Sequence, residues 1–63
     1  MDIIKLMEEA IAEEEEAYQK YSEMAKNAPD QTTRILLEQL AKEEQNHREV
    51  LKKRLLALKI ISQ

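Results

Sequence analysis

Apolar residues recur along this chain at alternating intervals of three and four. In the first half the row reads Ile3, Met7, Ala10, Ala17, Tyr21, Met24 and Ala28, with Glu14 in the slot between Ala10 and Ala17. That period marks the seam of a helix facing other helices. A second row, Ile4, Ile11, Tyr18 and Ala25, widens the stripe beyond what one two-helix contact needs. The second half repeats the pattern as Leu37, Leu40, Glu44, His47, Leu51, Leu58 and Ile61, widened by Leu36, Ala41, Val50 and Leu55. Arg54 falls in that row as an irregularity, read as a snorkelling side chain. Helix breakers are confined to Asn27-Ala28-Pro29-Asp30, and glycine is absent. Pro29 turns Ala28 away from helical angles and suits the first turn of a new helix, with Asp30 favourable near its N-terminus. The prediction is one domain over residues 1–63: a helix from about 2 to 27, a turn at about 28–29 and a helix from about 30 to 61.

A turn this short makes the helices antiparallel, so residues equally far from it lie level. Glu14 stands 15 residues before Pro29 and Glu44 stands 15 after it. Both are therefore about 22 Å from the turn, with His47 roughly one turn beyond. Glu44 and His47 form an E-x-x-H pair, which on a helix projects a carboxylate and an imidazole from one face. Such a pair is common by chance, but here all three polar intrusions into the apolar rows fall at one level. An isolated carboxylate in such a row costs several kcal/mol unless it is paired, protonated or bound to a metal. A locally splayed seam that lets Glu14 reach water is the plainer alternative. The other members of the glutamate run, Glu13, Glu15 and Glu16, read as a solvated face, with Glu16 pairing to Lys20. Glu38 with Lys42 and Glu49 with Lys53 read as ordinary exposed pairs of the second helix.

Composition narrows the chemistry. Sixty-three residues bury only about 60% of their unfolded surface, so a lone hairpin has a marginal core and leaves its wide apolar faces wet. Pairing two copies about a two-fold axis closes a four-helix bundle and gathers four glutamates and two histidines. Two divalent cations balance those four charges. Oxygen donors with one imidazole per metal suit Fe, Mn or Co better than calcium, and the absence of cysteine removes thiolate zinc, dithiol and cysteine-ligated iron centres. A net charge of -3 without a basic stripe argues against nucleic acid. No stretch approaches the roughly 18 apolar residues of a membrane span, and the N-terminus lacks a secretory pattern. A soluble, cytoplasmic protein is expected.

The segment AIAEEEEAYQKYSEMA, the turn, and LLEQLAKEEQNHREVL together resemble one helical hairpin of the ferritin-like superfamily, nearest to rubrerythrins and encapsulated ferritins. The likeness covers about residues 7–52 and rests on a Glu seven residues before a Tyr, here Glu14 and Tyr21, and on the E-x-x-H of Glu44 and His47. It implies an all-α fold in which the antiparallel hairpin dimerises into a ferritin-like four-helix bundle. It further implies two Fe ions per dimer, one per chain, with Glu14 and His47 as terminal ligands, Glu44 as the bridging carboxylate and Tyr21 as an electron-donating neighbour. A core tyrosine with its hydroxyl at a rim is the alternative for Tyr21. His47 needs an acceptor for its second ring nitrogen, for which Glu43 is the candidate.

The departures are informative. Rubrerythrins carry two hairpins in one chain, usually followed by a cysteine-bound iron, whereas this chain has one hairpin and no cysteine. Encapsulated ferritins use one hairpin with the site across a subunit interface, but add a C-terminal helix and an addressing tail, while this sequence stops at Ser62-Gln63. A shortened chain and a minimal relative both accommodate that. The resemblance implies oxidation of Fe(II) to Fe(III) by O2 or H2O2 for iron storage or detoxification. Its partners would be further copies of the chain and an encapsulating shell or an electron-donor protein. Peroxide reduction in the manner of rubrerythrin and a metal-free dimerisation or scaffold module are the alternatives. Surplus acid at Glu13, Glu15 and Glu16 reads either as cation guidance or as a solubilising surface.

Overall fold

The computed structural model describes residues 1–62. Helix α1 runs Ile3–Lys26 and helix α2 runs Gln31–Ile61, and the two lie antiparallel as a rod 50 Å long and 16 by 12 Å across. Each start is fixed by an aspartate. Asp2 accepts a hydrogen bond from the Lys5 backbone N–H at 3.1 Å, and Asp30 accepts one from Thr33 at 2.7 Å. These caps satisfy N–H groups that a helix cannot pair internally. The end of α1 is held by Asn27, whose Nδ2 donates to the Glu23 carbonyl at 3.0 Å, and the end of α2 by Ser62, whose Oγ donates to the Leu58 carbonyl at 2.8 Å. With 31 residues against 24, α2 overhangs α1 by about 10 Å.

The face each helix turns inward differs from the expected seam by part of a turn. Ile4, Ile11 and Tyr18 are half-buried and Ala25 is buried, so the row expected only to widen the stripe holds the most buried residue of α1, while Met7, Ala10, Ala17 and Tyr21 of the expected seam are half-buried beside it. Ile3 and Met24, from the expected seam, are 47% and 45% exposed. On α2 the buried residues are Ala41 and Leu55, while Leu36, Val50 and Ile61 are exposed. Arg54 is exposed as well. Ala25, near the turn, and Ala41, twelve residues beyond Pro29, are both 5% exposed.

Among the described residues only Ala25, Ala41 and Leu55 are buried hydrophobics, whereas ten large ones, from Met1 to Ile61, remain exposed. A hairpin this open has more apolar surface outside than a stable monomer ordinarily shows. Ile3 lies eleven residues before Glu14, and Leu36 eleven before His47, in each case about three full turns. The exposed apolar rows thus share their side of the hairpin with the polar residues at its middle.

Candidate metal centre

Glu14 comes from α1, and Glu44 and His47 come from consecutive turns of one α2 face. One ligand atom from each lies within 4.8 Å of the other two. His47 Nδ1 is 3.4 Å from Glu14 Oε2 and 3.5 Å from Glu44 Oε1. The carboxylates are half-buried, with 24% and 22% of each side chain exposed, whereas the imidazole is 59% exposed. The three side chains therefore form a shallow cup on the flank of the hairpin, walled by carboxylates and edged by the imidazole.

The cup is electrostatically incomplete. Glu14 Oε2 is shielded from solvent and has no hydrogen-bond partner. Hydrogen bonding to the Glu14 carboxyl, then burial, then repulsion between the two charges hold the Glu44 pKa above its ordinary value, against an opposing pull from His47. Two acidic groups this close cannot both ionise at ordinary cost, so one keeps a proton or a cation takes its place. A divalent cation would satisfy the bare oxygen and remove the repulsion together. The donor set of two carboxylates and one imidazole suits Fe(II) or Mn(II), and its residues fit the metal that the sequence implies.

Tyr21 is half-buried and stands two turns, about 10 Å, along α1 from Glu14, outside the converging group. Glu43 is exposed and makes no hydrogen bond or ion pair with His47 among the described residues. A groove of about 330 Å³ also runs along the hairpin, lined by Tyr18, Ser22, Ala25, Ala41 and Gln45 with Lys26, Arg34, Glu38 and Lys42 around it. None of the three converging residues lines it.

Within the glutamate run, Glu13 and Glu16 are exposed, but Glu15 does not belong to a solvated face. Its Oε2 meets Arg48 Nη1 of α2, and its Oε1 accepts from Gln19 Nε2 at 3.1 Å. Arg48 is 20% exposed and stands in the seam directly between Ala41 and Leu55, seven residues from each. The signal for Arg48 was that heptad row, Ala41, Arg48 and Leu55, which predicts an inward position once Ala41 and Leu55 are known to face α1. The remaining ion pairs also differ from those expected. Glu38 pairs with Arg34 at 3.5 Å rather than with Lys42, Glu49 with Arg48 at 3.5 Å rather than with Lys53, and Lys26 with Glu23 at 3.9 Å. Among the described residues Glu16 has no ion pair with Lys20. Exposed pairs of this kind are interchangeable because each is worth only a few tenths of a kcal/mol.

The fold and the cup define a helical hairpin that carries a carboxylate and imidazole cluster able to hold a metal ion. A family model described as Rubrerythrin matches residues 1–59, and the chain belongs to that family. No curated protein and no solved structure matches it. No described helix is long and apolar enough to cross a membrane.

Proposed function

We propose that two copies of this chain pair through their apolar flanks into a ferritin-like four-helix bundle and oxidise Fe(II) at the centre formed between them. The observation that carries this reading is the convergence of Glu14, Glu44 and His47 on the same side of the hairpin as its exposed apolar rows. Pairing would bring four carboxylates together, and two Fe(II) ions would balance their charge.

Iron is the substrate, and each Fe(II) gives up one electron. H2O2 takes the two electrons and two protons to become two waters, or O2 takes them to become H2O2. The protein's part is to bind and orient. Glu14 and Glu44 supply anionic oxygens that favour the ferric over the ferrous charge, and His47 supplies a neutral nitrogen that confers preference for a transition metal over calcium. Glu44 binds as the anion, so protons compete with the metal there over a range extended upward by its raised pKa. Ile3, Met24, Leu36 and Val50 would exclude water around the centre once covered by the partner copy.

Anaerobic titration with Fe(II), followed by metal bound per chain and by oligomeric mass, tests the reading. Saturation at one iron per chain with assembly of dimers or larger species, then a near-ultraviolet ferric band on admitting O2, is expected. No tight binding and an unchanged oligomer would leave the three residues as a polar layer of a structural bundle.

Membership of the rubrerythrin family favours a second reading, in which the same centre reduces peroxide with electrons from a separate donor protein. Sustained H2O2 consumption with a reductant and little net ferric deposition would select it.

A further inference from the structure

Arg48 lies four residues after Glu44 on α2. A glutamate followed at i+4 by a basic residue is the favourable orientation for an ion pair within a helix, so Arg48 has Glu44 as its default partner. It does not take it. Its Nη1 crosses to Glu15 of α1, its Nη2 lies 3.5 Å from Glu49, and its Nε is buried without a partner. Glu15 is in turn fixed from behind by Gln19. Among the described residues no lysine or arginine nitrogen comes within 4.0 Å of Glu14 or Glu44, whose one nitrogen neighbour within that distance is the His47 imidazole.

We infer that Glu15 is a positioning residue that holds the Arg48 guanidinium away from the Glu14 and Glu44 carboxylates, keeping them free for a metal ion. The inference rests on the metal-centre reading above. Arginine stays protonated at every accessible pH, and its planar fork matches a carboxylate in two-point contact. A guanidinium seated on Glu44 or Glu14 would therefore compete with a divalent cation for the same lone pairs, and no change of pH would dislodge it. Four residues of helix separate Glu44 from Arg48, so a side-chain rotation, with no movement of the backbone, is enough to make that contact. Glu15 opposes it from α1, while Glu49 holds the other nitrogen of the fork from the adjoining position of α2. The place of Glu15 one residue after Glu14 puts it on the other flank of the seam, about 100° around α1, so it draws Arg48 toward the side away from the cup.

The same arrangement explains why a half-buried ion pair sits beside a site that must stay anionic. With Glu15 in place the pair is neutral as a unit and adds little net field at the cup. Without it, the guanidinium keeps only Glu49 on its own helix, 3.5 Å away, and loses the contact that draws it across to α1.

The test is Co(II) binding, read by the visible absorption of the bound ion and by calorimetry, to the full chain as wild type, E15Q, R48M and the double variant E15Q/R48M. Circular dichroism checks that each remains helical. E15Q is expected to bind Co(II) about tenfold more weakly, in the range found when groups supporting a metal ligand are lost. The double variant is expected to return to within about threefold of wild type, and R48M alone to bind at least as tightly as wild type. Rescue is the decisive readout, because a purely structural role for the pair predicts that the double variant binds no better than E15Q. A double variant as weak as E15Q, or a tenfold loss in R48M alone, would overturn the inference while leaving the metal centre intact. A wild-type chain that binds no Co(II) would overturn both together.

Discussion

At the scale of single residues, Glu44 is the group whose protonation ties stability to metal binding. Its pKa is raised by its hydrogen bond to Glu14, by burial and by repulsion from the same neighbour. The folded chain thus keeps this proton to higher pH than the unfolded one does. The stabilisation is fully present below the ordinary glutamate value of 4.5 and is lost as pH rises through the raised value. In the metal-free protein, thermal melts of wild type should fall relative to E44Q across that window and stay parallel below it. Metal affinity should run the opposite way, rising as the proton is lost. If Glu44 is a ligand as proposed, Glu44→Ala should weaken metal binding by more than about 100-fold, measured by calorimetry, since even supporting groups contribute about 10- to 100-fold. The same substitution should raise the melting temperature of the metal-free chain by removing the repulsion. Asp30 has the contrary sign. Its hydrogen bonds to Thr33 lower its pKa from the ordinary 3.8, so its contribution is present above that value and lost as pH falls through the lowered one. A D30N variant should show a shallower acid-side loss of helix by circular dichroism.

At the scale of the helices, the inward row of α2 sets the spacing of the hairpin. Leu55 is 8% exposed and is the largest residue buried between α2 and the start of α1. Leu55→Ala should cost about 2 kcal/mol in chemical denaturation, at the low end for leucine because a cleft this open relaxes readily. At Ala41 the constraint is reversed. Ala41 is 5% exposed, so Ala41→Leu should overpack the seam and destabilise by about 1–3 kcal/mol. The place of the reversal was legible without coordinates, because Pro29 and the absence of glycine leave one place for it, but Pro29 lies ahead of α2 rather than in its first turn and Asp30 is its cap. The ion pairs on the outer faces were not, since lysine, arginine and glutamate at helical spacing offer several partners of nearly equal energy.

At the scale of the whole molecule, exposed apolar surface dominates. Ile3, Met24, Leu36 and Val50 are all more than 40% exposed on the flank that carries His47. The double substitution L36E/V50E places like charges on that flank. Sedimentation should show loss of self-association, with helix content becoming lower and independent of concentration, because an isolated hairpin buries too little to hold its fold. Leu56 and Ile60, at 61% and 62% exposure, extend on the overhang of α2 and add to the uncovered surface there.

The amino-acid pattern by itself determined two long helices, one reversal at Pro29, and a polar level at which Glu14, Glu44 and His47 interrupt apolar rows. Those follow from local rules: the period of the apolar residues, the conformational limits of proline, and the antiparallel register that a short turn imposes. Rotation of each helix about its own axis was decided only by the tertiary structure. A stripe made of two parallel apolar rows allows either row to face inward, and the choice falls to which pair of rows packs, here the one that seats Ala25, Ala41 and Leu55. That rotation exposes His47, turns Glu15 and Arg48 toward the seam and leaves Glu14 Oε2 bare beside Glu44. None of these is a property of one helix, because each depends on a charge or a void contributed by the other.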